Sequence, residues 1–133
     1  MKPLRLWICA ILAPTWFATL PAAAQTSIAE QQDARVIENL RHNGADITKI
    51  HDIDFFLVFD SESDAAPIVE KLRAVGYEIV GVSRPSSARH WEIHAKRKMV
   101  PELRAMQATT RILQTLAEAH GGRYDGWGTI GIK

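Results

Sequence analysis

The stretch Arg89-His90-Trp91-Glu92-Ile93-His94 is where the sequence first suggests chemistry. Two imidazoles and a carboxylate alternate with apolar residues, and all three are metal-ligand types. On a strand, alternate residues share a face at about 6.6 Å spacing, so His90 and Glu92, or Glu92 and His94, could share an ion. The two histidines would then stand about 13 Å apart, too far to ligate one ion together. A third ligand would have to come from elsewhere, with Asp54 the candidate on a neighbouring strand. A solvated strand face gives the same alternation without any ion. His90, Glu92 and His94 therefore stand as weak metal candidates, and no cofactor is assigned.

Other reactive types have structural explanations. His42 and His120 fall near helix C-termini, where partial positive charge is favourable. His51 is isolated. Asp60, Glu62 and Asp64 form an acidic cluster, but carboxylates gather at helix starts for the same dipole reason. No Ser sits in a G-x-S-x-G frame, and no Gly-rich phosphate loop precedes a helix. Gly126, Gly128 and Gly131 lie in a strand-like tail with no following helix, so the dinucleotide mechanism does not apply. Catalytic residues are thus not assigned, and a non-enzymatic role is expected.

The elements that carry these residues follow from periodicity. Ser27-Ile28-Ala29-Glu30 reads as a capping box opening a weakly amphipathic helix (Ile28, Val36, Ile37, Leu40) to about His42. Ile53 to Phe59 is apolar on both faces, which marks a central strand. Ala65, Ile68, Val69, Leu72 and Val75 repeat at helical spacing, predicting a helix over 64–75 that starts close before Pro67. Tyr77 to Ser83 is strand-like, and Pro85-Ser86-Ser87 is a turn.

Along 89–98, Trp91, Ile93 and Ala95 point one way, while His90, Glu92, His94, Lys96 and Lys98 point the other. Pro101 suits the first turn of a helix whose stripe is Leu103, Met106, Thr110, Leu113 and Ala117, widened by Ile112 and Leu116. Gly121-Gly122 closes it, and 123–132 is a Gly-rich strand. After the first helix the order is βαββαβ. The expected fold is therefore α+β, a ferredoxin-like sandwich with an extra N-terminal helix. Right-handed crossovers place both main helices on one sheet face and leave the other open.

That open face invites comparison with RNA-recognition modules. Those need stacking aromatics and a basic, Gly-aromatic third strand. This third strand lacks the pattern, and Trp91 falls on the core side, so Lys96-Arg97-Lys98 reads as a charged strand end. A nucleic-acid partner is not expected.

The front of the chain is different in kind. Lys2 and Arg5 precede an apolar run from Leu6 to Leu20, and Ala22-Ala23-Ala24 follows. This is the layout of a secretory signal cleaved after Ala24. The run is short for a bilayer, which needs about 20 apolar residues, although Trp7 and Trp16 would suit a retained anchor. The expected organisation is a signal peptide over 1–24, an N-terminal helix and linker over 25–50, and the main domain over 51–133. The expected location is exported, periplasmic or secreted.

Removing 24 of 133 residues leaves 109. The segment holds two of the 16 basic residues and none of the 15 acidic ones, so the net charge moves from +1 to −1. It also holds the lone cysteine, which excludes a thiol nucleophile, a thiolate metal site or a disulfide in the remainder. With 47% apolar residues the chain is not disordered. About 100 residues suffice for a hydrophobic core.

The most specific stretch is Gly121-Gly122-Arg123-Tyr124-Asp125-Gly126-Trp127-Gly128. Together with Phe55-Phe56-Leu57-Val58-Phe59-Asp60, Leu72-Arg73-Ala74-Val75-Gly76-Tyr77 and the Trp91 strand, it resembles the RraB family, inhibitors of ribonuclease E. The resemblance covers about residues 30–130. It implies a small ferredoxin-like domain, without cofactor or catalytic residues, that binds another protein. The known member contacts the scaffold region of a cytoplasmic ribonuclease and is strongly acidic. This chain is near neutral, and an exported copy would not meet that enzyme. The fold is expected to transfer while the partner stays unidentified. Arg123, Tyr124, Asp125 and Trp127 are the candidate protein-binding residues, because Trp, Tyr and Arg favour interface centres. The competing account is that Tyr124 and Trp127 complete the core while Asp125-Gly126 makes a tight bend.

Overall fold

A computed structural model describes residues 26–131. The expected export segment, with its cleavage point after Ala24, lies outside them. The element order is α1 (Ile28–His42), β1 (His51–Phe59), α2 (Glu62–Ala74), β2 (Glu78–Ser83), β3 (Trp91–Met99), α3 (Leu103–Glu118) and β4 (Arg123–Gly128). The strands form one sheet in the order β2-β3-β1-β4 with every pairing antiparallel. This is the α+β, ferredoxin-like arrangement expected from the βαββαβ order.

β1 is a central strand, and its sequence shows why. His51, Ile53, Phe55, Leu57 and Phe59 are buried on the helix-covered face, and Val58 is buried on the opposite one. Phe55, Ile53, Leu57 and Ile93 join Ile68 and Leu72 of α2 and Met106 and Leu113 of α3 in a single core. Phe55 meets Tyr77 edge-on at 5.4 Å between ring centres. Burying a side chain of this size contributes about 1.5–3 kcal/mol, so these seven aliphatic and two aromatic side chains dominate stability.

Helix ends are set by side chains. Ser27 and Glu30 form the full capping box, each side chain accepting from the other residue's backbone N–H. Ser61 caps α2, accepting from the Asp64 N–H, with Glu62 and Asp64 in the first turn as the dipole favours. α2 begins further ahead of Pro67 than expected. The carbonyl that a residue at 67 would normally use belongs to exposed Ser63, so water can satisfy it. Pro101 lies just before α3 rather than in its first turn. Glu102 is the cap, its carboxylate accepting from the Arg104 and Ala105 N–H groups.

Four apolar residues depart from the expected stripes, Val75 and Leu103 at the ends of theirs among them. Ile28 is 76% exposed, and Ile112 is 66% exposed instead of widening the buried stripe of α3. On β3, Ile93 and Ala95 are buried while Glu92, His94 and Lys96 face the open side, as the alternation requires.

Gly122 sits where the chain returns from α3 to the sheet. A Cβ there would overlap the Phe59 ring and the Val58 carbonyl oxygen. Neither obstacle is the far end of a flexible chain. Gly122→Ala is expected to destabilise the domain by about 1–3 kcal/mol, the usual cost of overpacking, read as a lower urea midpoint with unchanged slope.

Candidate functional site

The four candidate residues of the closing element separate into two pairs. Tyr124 pairs with Leu57, and Trp127 pairs with Phe55. Both partners face the core. Residues three apart on a regular strand point to opposite faces, so something must change the parity. The register of β4 shifts opposite Phe56 and Leu57, leaving Asp125 as an extra residue. This is a β-bulge, and bulges re-aim the side chains that follow. The expected bend at Asp125-Gly126 is thus an offset inside a continuous strand. Gly126 follows the bulge at φ 112°, a conformation that L side chains rarely adopt.

The result is that Trp127 is 8% exposed and Tyr124 is half-buried, whereas Arg123 and Asp125 are exposed. Arg123 Nε lies 3.9 Å from Asp125 Oδ1. The aromatic members therefore build the core, and the charged members present the element to solvent.

Trp127 also holds the N-terminal helix. Its indole N–H donates to Asp33 Oδ1 at 2.7 Å, inside the protein. One turn earlier, Glu30 has two roles. Its Oε2 accepts from the Ser27 N–H and closes the capping box. Its Oε1 accepts from Arg111 Nε at 3.1 Å and Nη2 at 2.6 Å. Gln107 donates to the Glu30 carbonyl. The helix expected to stand ahead of the main domain is in this way bound to α3 and β4. Glu30, Asp33 and Ile37 are its buried residues. Their spacing of three and four is the signal that the hydrophobic pattern obscured, because two of the three are acids.

These acids respond oppositely to their surroundings. The Ser27 backbone N–H, followed by the Arg111 hydrogen bond, holds the Glu30 carboxyl below its ordinary range. Burial pushes Asp33 up, and the Thr110 and Trp127 groups only partly offset it. Burial raises Tyr124 well above the usual phenol value. Thr110 lies close enough to lower both Asp33 and Tyr124, yet Asp33 Oδ2, Thr110 Oγ1 and the Tyr124 hydroxyl make no hydrogen bond of good geometry among the described residues. Proximity without alignment accounts for both observations.

On the outside, α1 and β4 enclose a depression of about 320 Å³. Gln32 and Arg35 stand on its helix side, Asp125 and Gly126 on its strand side, and Phe56 in its lining. Phe56 pairs across the sheet with Gly126, which has no side chain to cover it. On its other flank it stacks on His94, with ring centres 4.9 Å apart. Neither Phe56 nor Arg35 carries a signal in the sequence alone. Phe56 reads as one more core residue of an apolar strand, and only the pairing with glycine exposes it.

The metal candidates do not converge. His94 Nε2 is 2.7 Å from Asp54 Oδ1, and His90 Nδ1 is 3.0 Å from Asp60 Oδ1, on separate pairs. Among the described residues, no three metal-ligating side chains come together. The basic run is matched strand by strand. Lys96 reaches Asp54, Lys98 reaches Asp52, and Arg97 lies over the Tyr77 ring. The open face therefore alternates charges instead of forming a cationic track.

A ferredoxin-like domain with a bulged closing strand and a clamped N-terminal helix defines the class. Over residues 30–129 the chain matches the family described as Regulator of ribonuclease activity B, and it belongs to that family. The matched region begins at Glu30 and ends just after Trp127, so it includes both partners of the clamp. No curated protein matches the chain.

Two titration experiments test the clamp. Asp33 has a raised folded pKa, so its contribution is most favourable in acid and declines as pH rises through the ordinary and then the folded value. Asp33→Asn keeps an acceptor for the indole but does not ionise. Its stability relative to the parent is expected to improve as pH rises from 3 to about 7 in urea melts. Glu30 has a lowered pKa, so its contribution is present above the ordinary glutamate value and lost as pH falls through the folded one. Glu30→Gln should be the less stable protein at neutral pH, with the gap closing in acid. Trp127→Phe strands a buried carboxylate and is expected to cost about 1–3 kcal/mol.

Proposed function

We propose that this protein is a non-catalytic, protein-binding regulator of the RraB kind, exported to the periplasm or secreted, with a partner other than the cytoplasmic ribonuclease E. The observation that carries the regulatory reading is the family match, which spans the domain from α1 to β4. Export is supported by the basic start, the apolar run and the small residues before Gln25.

The contact region follows from the division within the closing element. Arg123 and Asp125 are exposed beside a depression with an aromatic lining and a polar margin. An apolar centre with a polar rim is the usual anatomy of a protein interface. Trp127 and Tyr124 support that surface from below. The family match also favours a second reading. If the front segment is retained inside the cell, the chain regulates ribonuclease activity there.

Cell fractionation with N-terminal sequencing decides between them. The expected result is a mature terminus at Gln25 in the exported fraction. An intact Met1 in the cytosol would favour the second reading and direct the binding assay to ribonuclease E. Once the partner is in hand, the Arg123→Glu and Asp125→Lys double variant should bind it at least about tenfold more weakly, equivalent to about 1.4 kcal/mol, with an unchanged melting temperature.

A further inference from the structure

A second surface lies on the far side of the helices, away from the closing element. The C-terminal turn of α2 and the second half of α3 border a groove of about 730 Å³. Val75, Ile112 and Leu116 supply its apolar surface, and Val75 and Ile112 are 61% and 66% exposed. Ile112 and Leu103 both depart from the buried stripe expected of α3, and Ile112 is the one at this groove. Isolated exposed apolar residues need no explanation, but two large ones on facing helices over a shared groove indicate an interaction site.

The charged residues lining the groove are both cations, Lys71 on α2 and Arg111 on α3. Arg111 is held in place by Glu30 through Nε and Nη2, and its side chain remains 68% exposed. Lys71 Nζ contacts His120 Nε2 at 3.1 Å, a ring nitrogen and not a carboxylate. Among the described residues no acid lines the groove, and because Glu30 already pairs with Arg111 from α1, Lys71 is the cation that sets its charge.

This charge pattern selects among occupants. The chain's own 1–25 segment carries Lys2 and Arg5 and no acid, so it would bring cations to cations. A second copy docking groove to groove would bring Lys71 and no carboxylate to the lining. A partner with carboxylates flanking an apolar stripe matches both features. The α3 wall runs from Arg111 to Ala119, about 12 Å along the axis, or a little over two helical turns. That suits a helix with apolar side chains at i, i+3 or i+4, and i+7.

We infer that the α2–α3 groove docks an acidic amphipathic helix, with Val75, Ile112 and Leu116 receiving its apolar stripe and Lys71 a flanking carboxylate. The inference rests on the protein-binding reading and places a second contact on the outer surface of α2 and α3.

A fluorescein-labelled synthetic helix of about fourteen residues, with leucines at i, i+3, i+4 and i+7 and flanking glutamates, serves as the probe for anisotropy titration of the purified protein. The same peptide with lysines replacing the glutamates is the control. The acidic peptide is expected to bind at least about tenfold more tightly than the control, with the difference shrinking at high salt. Ile112→Asp and Lys71→Glu, both at exposed positions, should each weaken binding about tenfold while circular dichroism stays unchanged. Equal binding of both peptides, undiminished binding by Ile112→Asp, or no binding at all would overturn the inference. So would a dimer, seen in sedimentation, that Ile112→Asp abolishes. None of these outcomes touches Arg123 and Asp125, so the groove can fail while the surface at the closing element stands.

Discussion

The hydrogen bond from the Trp127 indole to Asp33 fixes the relation between the two ends of the domain. An ionisable carboxylate is costly to bury, and the cost is contained only if donors meet it. Trp127 supplies one donor, and Arg111 neutralises Glu30 one turn away. Satisfying these acids draws α1 against α3 and β4. Without the indole, Asp33 would face its burial with Thr110 nearby but poorly aligned. The clamp is therefore an arrangement in which each member is tolerable because the others are present.

The bulge makes the clamp possible. Trp127 reaches Asp33 only because Asp125 is accommodated as an extra residue, which returns the indole to the same face as Tyr124. The same offset leaves Asp125 on the outside beside Arg123. One irregularity thus builds the core and presents a surface. The glycine after it has a related double effect, since it accepts φ 112° and leaves Phe56 uncovered across the strand pair.

Much of the fold was legible because one physical rule governed each element. Burial on both faces marked β1 as central, alternation marked β3, and Ser27 with Glu30 marked the start of α1. The structure departs from the sequence pattern where two rules compete. Ile112 satisfies helical spacing but lies beyond the arc that the sheet covers. Pro101 would suit a first turn, but Glu102 can cap and Pro101 cannot. Asp33 was invisible as a core residue because an acid counts against burial until its partner, far along the chain, is known. The bulge was hidden because Asp-Gly also signals a turn. At the site, the sequence located the closing element, and the structure divided it into support and surface.

The clamp joins residues 94 positions apart, from the first helix to the last strand. Contacts of such separation form late, since closing a long loop costs entropy before any contact offsets it. Until β4 is available, α1 has an acid without its indole and β1 has an open edge. A chain delivered N-terminus first, by synthesis or by threading through a membrane, can set its first helix against α3 but leaves Asp33 without its indole until the final strand has emerged. Completion of the domain is thereby coupled to completion of the chain.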